Sequence, residues 1–196
     1  MKLKLTSLAL LLVVMTTSAF IAPVFKADTY KVDASKSTIT WVGKKFTGSH
    51  NGTINLQSGT LSFNGKKLAG GNFVLDMNSL KDADNSANLE KHLKSEDFFG
   101  TEKFPTSTFV VKSFTGNGAN LTVTGDLTIK GITKPISFPA TIAWNADGSV
   151  TATADKIIVD RTKYDINFKS KTIFPEIGNK MINDEFELSV KLVAKK

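Results

Sequence analysis

The sequence predicts an all-β protein of antiparallel strands, interrupted by one short helical segment. Apolar and polar residues alternate along most of the chain after Tyr30, and glycine, asparagine and aspartate separate the alternating stretches. The stretches recur about every 8–12 residues, which leaves a β-sandwich and an antiparallel barrel as alternatives. A strand with one buried and one solvated face requires such alternation, whereas a parallel sheet covered on both faces would be apolar throughout.

Composition excludes several classes of protein. A chain of 196 residues with 41% hydrophobic and 22% charged residues is long and apolar enough to fold around a core, so intrinsic disorder is excluded. The absence of cysteine excludes disulfide scaffolds, thiol catalysis and thiolate metal sites. With only two histidines and no nucleotide-binding glycine motif, we expect no metal ion and no cofactor.

The positive net charge does not indicate a nucleic-acid partner. The chain carries a formal charge of +7, but Lys2, Lys4 and Lys26 lie in the N-terminal segment. Without them, 22 cationic side chains face 18 acidic ones, and the net charge falls to +4. Arg161 is the only arginine in the sequence, whereas proteins that read nucleic-acid sequence rely on arginine for bidentate base contacts.

Residues 1–27 have the layout of a secretory signal peptide. Two lysines precede the apolar run Leu5–Met15, and small residues follow it, so we expect cleavage between residues 19 and 27. The run is shorter than the ~20 apolar residues of a membrane-spanning helix. An uncleaved anchor is the alternative. The sequence therefore predicts an exported, periplasmic or secreted domain over residues 28–196, with no stable membrane span once the signal is removed.

Two stretches show the clearest alternation. Residues 121–130 place leucine, valine and isoleucine on one face and threonine, aspartate and lysine on the other, and residues 182–192 repeat this pattern. Asp147-Gly148 indicates a two-residue hairpin turn between Trp144 and Val150. Weaker alternation predicts further strands at Ile39/Trp41, Ile54/Leu56, Leu61/Phe63, Phe73/Leu75/Met77, Phe109/Val111 and Ile136/Phe138/Ile142/Trp144.

A short helix is expected between Asn85 and Gly100. Leu89 and Leu93 are four residues apart and form one apolar stripe, and His92 lies beside them as a half-buried packing residue. Ser95 is interpreted as the N-cap of a further helical turn.

Four blocks resemble, in order, motifs of the YceI-like family of secreted, polyisoprenoid-binding bacterial proteins. They are Tyr30–Trp41, His92–Phe109, Gly125–Pro135 and Asp160–Ile166, and they span nearly all of residues 28–196. The second block is the specific one, because the other three would be weak signals alone.

The resemblance implies a lipocalin-like antiparallel β-barrel with a helix beside it. Members of the family hold a long isoprenoid or other fatty chain inside the barrel, and the family brings no catalytic residues. The sequence departs from the family pattern at Asp165, because the family more often has glycine after the aromatic residue at this point. The resemblance therefore does not fix the conformation of the turn at Tyr164-Asp165.

We therefore expect an exported binding protein that sequesters or transports an isoprenoid-type or other long-chain lipid in an apolar lumen. His50 and Arg161 are candidates for contacting the lipid head; otherwise His50 is a hydrogen-bonded residue at the core edge and Arg161 pairs with an aspartate. The expected lumen residues come from the alternation, the phenylalanine-rich segment and the strand after Asp147-Gly148. They are Trp41, Phe98, Phe99, Phe104, Phe109, Leu127, Ile129, Phe138, Trp144, Ala152, Phe186 and Leu188.

Two other functions remain open at the level of sequence. An isomerase or hydrolase could act on a hydrophobic substrate in the same pocket, with His50, His92 or Asp184 as its base. Asp184 lies on the apolar face of the last predicted strand, so burial would raise its pKa. Alternatively, the domain is a surface interaction module with a packed core and no pocket. The sequence also leaves a homodimer open.

Overall fold

A computed structural model describes residues 27–117 and 120–196, so residues 1–26 of the expected signal peptide lie outside the described part. In the described ranges the chain forms nine strands and one α-helix, together with short 3-10 turns. The elements are β1 (Asp28–Val32), β2 (Thr38–Lys45), β3 (Gly48–Asn64), β4 (Lys67–Asp82), α1 (Ala87–Lys94), β5 (Thr106–Asn117), β6 (Asn120–Ile129), β7 (Ile132–Trp144), β8 (Val150–Asp160) and β9 (Ile182–Lys195).

The strands close into an antiparallel barrel, which confirms the predicted fold class. Neighbours follow the order β3-β2-β9-β8-β7-β6-β5-β4, and β4 pairs back onto β3 to complete eight positions. The ninth strand, β1, pairs with β3 and with the end of β9, the same two strands that flank β2. β1 and β2 therefore share one position in the barrel, interrupted by the 3-10 turn Ala34–Lys36. Closure leaves no long unpaired edge.

β3 and β4 are much longer than the sequence pattern suggests, with 17 and 16 residues. Leu56 and Leu61 are both buried although they are an odd number of positions apart, so plain alternation would place them on opposite faces. A register shift between Leu56 and Ser58 adds one residue to β3 and returns the inward face to the core. The two short strands expected here are one bulged strand.

Aromatic side chains close one end of the barrel. The ring centroids of Tyr30, Phe63 and Trp144 lie 5.0–5.6 Å apart in edge-to-face arrangements, and Phe63 is fully buried. Such packing is favourable beyond the apolar area that it buries. Trp144 therefore belongs to this aromatic plug, and its assignment to the lumen wall is wrong. It faces inward as predicted, but it lies at the last residue of β7, beyond the cavity.

α1 lies across the other end, against β4. Ser86 caps its N-terminus, and the buried Glu90 accepts hydrogen bonds from Lys81 Nζ and the Asp82 backbone N–H. The further turn expected after Ser95 is present, because the N–H groups of Phe98 and Gly100 bond the Ser95 carbonyl, and Gly100 ends it at φ 54°. The side chain of Ser95 does not cap this turn: Ser95 is the C-cap of α1, and its backbone N–H and its hydroxyl both bond the His92 carbonyl. No helix among the described residues has the length and hydropathy needed to cross a bilayer.

Two turns differ in detail from expectation. Five residues, 145–149, connect β7 to β8, with Gly148 at φ 78°. The turn is therefore where Asp147-Gly148 indicated, but it is longer than two residues, because Asn145 N–H bonds Ser149 O before the ladder begins. Asp165 adopts φ 56° and ψ 38°, a left-handed conformation that asparagine, aspartate and glycine tolerate best. Backbone geometry thus explains why glycine suits the position where this sequence has aspartate.

Candidate functional site

The barrel encloses two adjoining apolar chambers. The inner chamber, beneath the aromatic plug, has a volume of about 110 Å³. Of the described residues that line it, only Thr153 carries a polar side chain. The lining residues are Ile39, Leu56, Leu61, Leu68, Phe73, Leu75, Phe109, Val111, Val123, Leu127, Ile136, Phe138, Ala140, Ile142, Ala152, Thr153, Ala154, Ile157, Leu188, Val190 and Leu192.

The outer chamber has a volume of about 310 Å³ and opens at the α1 end. It shares Leu75, Leu127 and Leu188 with the inner chamber, so the two chambers adjoin at these three residues, which we call the waist. Its walls are apolar near the waist and polar at the mouth. The other lining residues are Trp41, Gly43, Lys44, Lys45, His50, Ile54, Met77, Leu80, Leu89, His92, Leu93, Phe98, Phe99, Ser107, Ile129, Arg161, Phe168, Lys169, Lys180, Ile182, Asn183, Glu185 and Phe186.

Most residues expected in the lumen do line a chamber. In β8, the register places Ala152 opposite Ile142 and Leu192, with its side chain on the inner chamber wall. Phe104 is the exception besides Trp144: it lines neither chamber and packs near Gly131 on the outside of the barrel. The placed residues are Trp41, Phe98, Phe99, Phe109, Leu127, Ile129, Phe138, Ala152, Phe186 and Leu188.

His50 lies at the mouth beside two acidic residues. Its Nδ1 is 3.8 Å from Oδ1 of the buried Asp82, which is too long for a hydrogen bond. Neither atom has a hydrogen-bond partner among the described residues. The side chain of Asp84 completes a set whose potential ligand atoms all lie within 4.8 Å of one another. A histidine and two carboxylates form the one group within residues 27–117 and 120–196 that could hold a metal ion.

His92 belongs to an aromatic cluster at the mouth. Its ring packs edge-on against Phe98 and Phe168, with centroids at 5.0 and 4.7 Å, and its Nε2 lies 3.1 Å from Asp97 Oδ2. The ring therefore packs as expected for a half-buried residue, and it also forms part of the outer chamber wall.

Arg161 is buried, and its nitrogens face backbone carbonyls. Nε donates to Asn183 O, NH1 to Ile166 O and NH2 to Ile182 O, at 2.6–2.9 Å, while NH2 also lies 3.6 Å from Asp184 Oδ1. These bonds tie the turn after β8 to the start of β9. Arg161 thus holds the mouth in shape, as the alternative ion-pair interpretation expects, and its planar fork suits this purpose.

Asp184 does not have the raised pKa that the sequence suggested. Burial raises the pKa of this carboxyl, but hydrogen bonds from Ser170 and Thr172 and the nearby Arg161 outweigh it, and the net pKa is lowered. A carboxylate held in its charged form is a weak general base. Asp184 is also not among the described residues that line either chamber.

Several lining residues were missed by sequence reasoning. Leu75 at the waist lies in a weakly alternating stretch, and Met77 and Leu80 lie within a register irregularity of β4 between Asp76 and Lys81. Phe168 lies in an irregular segment where periodicity carries no signal. Leu75 and Met77 share the parity of Phe73, so the alternation of this stretch was the signal that could have identified them. Leu80 is out of phase with that alternation because of the irregularity between Asp76 and Lys81.

Comparison with known proteins agrees with this architecture. The model of the YceI-like domain family matches residues 30–194. Protein YceI from Escherichia coli O17:K52:H18 is 36% identical over 96 residues, covering 49% of this chain and 50% of that protein. The chain spans about half the length of the curated relatives it matches.

Two solved structures have the same fold. Burkholderia cenocepacia BcnA superposes with a TM-score of 0.66 at 24% identity, covering 83% of this chain and 98% of that one. A polyisoprenoid binding domain from Saccharophagus degradans, implicated in plant cell wall breakdown, also gives 0.66 at 16% identity, covering 85% and 97%. At these identities the likeness concerns the fold.

Proposed function

Because the chain belongs to the YceI-like family, we propose that it binds an isoprenoid-type or other long-chain lipid with its apolar chain in the barrel. The tail occupies the inner chamber and passes the Leu75–Leu127–Leu188 waist, and the polar head lies in the outer chamber. The polyisoprenoid-binding domain from Saccharophagus degradans, which has the same fold, supports this ligand class.

The observation that carries the proposal is the pair of adjoining apolar chambers below a polar mouth. Packed protein interiors leave few voids larger than a water molecule, and cavities lined by leucine, isoleucine and phenylalanine stay dry and accept apolar guests. The outer chamber volume of about 310 Å³ reaches the size range of small-molecule sites, roughly 300–1,000 Å³. The mouth supplies hydrogen-bonding groups, so a ligand with a long apolar chain and one polar end fits both.

Affinity in this proposal comes mainly from burial of the chain. Each methylene removed from water contributes ~0.8 kcal/mol, so a dozen methylenes outweigh any single polar contact. The histidines at the mouth, His50 and His92, then contribute to head contact only at the level of one hydrogen bond, ~1–2 kcal/mol.

We further propose that the protein acts after export, as a carrier or a store of lipid in the periplasm or outside the cell. The basic start and short apolar run of residues 1–27 support this location. Fractionation of expressing cells, followed by N-terminal sequencing, tests it: a new N-terminus between residues 20 and 28 is expected in the exported fraction. Full-length protein in the cytoplasm alone would contradict it.

The lipid-binding proposal is tested by titrating delipidated protein with single-headed lipids of increasing chain length. We expect saturable binding of one lipid per chain, with affinity rising for each added methylene until the lumen is full. His50→Ala and His92→Ala should weaken binding by no more than ~1–2 kcal/mol. Affinity that is independent of chain length, or that vanishes in either histidine variant while the fold persists, would refute burial as the source of binding.

A further inference from the structure

Three large apolar side chains are exposed around the mouth of the barrel. Phe46 is 60% exposed, Ile173 46% and Phe174 41%. Phe46 occupies the two-residue turn between β2 and β3, a position that glycine, asparagine or aspartate normally fills. Contiguous exposed apolar groups on a folded domain indicate a surface that contacts a membrane or another protein.

Backbone contacts bring these three residues to one place. Phe46 N–H bonds Met181 O, at the residue before β9 begins. Ser170 bridges Ile182, its hydroxyl accepts from Ile173 N–H, and its carbonyl accepts from Phe174 N–H. The β2–β3 turn and the segment after Ser170 therefore flank the same start of β9.

Lysines surround this apolar group. Lys45, Lys169 and Lys180 line the outer chamber, and Lys171 precedes Ile173 by two residues in the chain. None of the four forms a salt bridge among residues 27–117 and 120–196. In the segments that carry the exposed apolar residues, the acidic side chains are Glu176 and Glu185, besides Glu187, which pairs with Lys44, and Asp184, which faces Arg161. The other acidic groups of the mouth, Asp82 and Asp84 beside His50 and Asp97 beside His92, belong to β4, the turn after it and the turn after α1. Within the segments next to the apolar residues, the four lysines therefore outnumber the two free acids.

We propose that this mouth rim, formed by Phe46, Ile173, Phe174 and the lysines around them, docks onto the surface of an anionic lipid bilayer. Aromatic and aliphatic side chains enter the boundary between headgroups and acyl chains, and lysines bind the anionic headgroups next to them. The inference deepens the proposed function and rests on it in one respect: docking the mouth lets a lipid chain pass between bilayer and lumen without crossing water.

Charge favours a bilayer over a protein partner. Protein interfaces are depleted of lysine relative to the rest of the surface, whereas lysines beside exposed aromatic groups are typical of segments that lie in a membrane interface. A second protein remains a distinct outcome of the experiment below.

The chain contains no cysteine, so single labelling sites can be introduced cleanly. We propose attaching an environment-sensitive fluorophore to Phe46→Cys and, as a matched control, to Ile158→Cys in the otherwise unaltered chain. Ile158 is 41% exposed but lies on the outer wall, between the buried Ile157 and Val159. Vesicles of phosphatidylcholine with or without phosphatidylglycerol serve as the membrane.

The label at position 46 should brighten and shift to shorter wavelength with phosphatidylglycerol vesicles, and respond several-fold less to pure phosphatidylcholine. The label at 158 should not respond. In flotation, Phe46→Asp combined with Phe174→Asp should reduce vesicle-bound protein at least ~tenfold relative to Ile158→Asp. Residues 1–26 are common to all variants, so they cannot cause these differences.

A silent label at 46 would overturn the proposal, including when the protein floats with vesicles, because binding would then reside elsewhere. Equal responses at 46 and 158 would overturn it as unspecific adsorption. A label at 46 that changes only as protein concentration rises would assign the rim to protein contacts instead. Organic extraction of lipid from the same protein preparations separates the two proposals. If the protein contains lipid but does not bind vesicles, only the docking proposal is refuted. If the protein binds vesicles but neither contains nor takes up lipid, the proposed function is refuted.

Discussion

Ala152→Phe distinguishes a lumen that holds ligand from a core with packing voids. The Ala152 side chain lines the inner chamber, and the substitution adds a ring the size of benzene, which an apolar cavity of roughly 150 Å³ accommodates. The inner chamber measures about 110 Å³, which is smaller than that cavity, so the ring fills it and presses on its walls. In the empty protein most of the ring still enters existing space, and we expect the unfolding free energy to fall by about 1 kcal/mol at most.

Ligand binding should respond much more strongly than stability. If the ring displaces about four chain carbons at ~0.8 kcal/mol each, binding weakens by ~3 kcal/mol, roughly 100-fold. The assay pairs the melting temperature of delipidated protein with a lipid titration. Ala143→Phe is the matched control, since Ala143 is an exposed residue of the neighbouring strand β7; it should bind lipid normally.

Two results would refute this reasoning. A loss of ~3 kcal/mol or more in the empty variant, seen as a fall of about 6–12 °C in melting temperature, would mean that the chamber is closely packed and the ring overpacks it. Unchanged lipid affinity would mean that the ligand chain does not pass the waist into the inner chamber.

Three further substitutions test how the barrel is held together. Arg161→Met should lower the free energy of unfolding in urea by about 3–5 kcal/mol, because three carbonyls and Asp184 lose their buried partner; a loss below 1 kcal/mol would contradict this. Burial, and Asp160 nearby, raise the pKa of Tyr164 to about 12 from its ordinary 10. The protonated Tyr164 hydroxyl therefore contributes fully to the free energy of unfolding below pH 10, and this contribution is lost as the pH rises toward 12. Tyr164→Phe should remove that part of the alkaline loss, and equal losses in both proteins would refute the assignment. A Cβ at Gly52 would overlap the Lys81 carbonyl, so Gly52→Ala should lower the free energy of unfolding by more than about 2 kcal/mol. Gly70 has open space around it, so Gly70→Ala should change the free energy of unfolding by no more than about 0.5 kcal/mol. Similar effects of the two substitutions would contradict the close approach of β3 and β4 at Gly52.

The strand content of the fold follows from the sequence because each strand has one wet and one apolar face. In β6, Leu121, Val123 and Leu127 are buried and the threonines between them are not, as period-two alternation requires. Strand pairing does not follow in the same way. Trp41 pairs with Leu188, across most of the chain, and periodicity contains no information about which strands meet.

Ten of the twelve residues expected in the lumen line a chamber, and each of the two exceptions has a physical cause. Alternation states which face of a strand a residue occupies, but not its height along the barrel axis. Trp144 faces inward and still lies in the plug, whereas Phe186, also inward, reaches the outer chamber. Phe104 lies outside any strand, so no periodicity constrained it.

The features of the mouth were the least predictable. Exposed apolar residues such as Phe46 and Phe174 read as ordinary core candidates in a sequence, because hydrophobicity alone favours burial. Only the backbone contacts around Met181 show that they lie together beside the opening.

Mass spectrometry of an organic extract from protein purified without detergent tests the central claim most directly, namely that the barrel holds a long-chain lipid. We expect a lipid with an apolar chain of about 16 carbons or more, recovered in an amount close to one per protein chain. Protein that is consistently empty, and that takes up no long-chain lipid in a saturable manner, would contradict the claim.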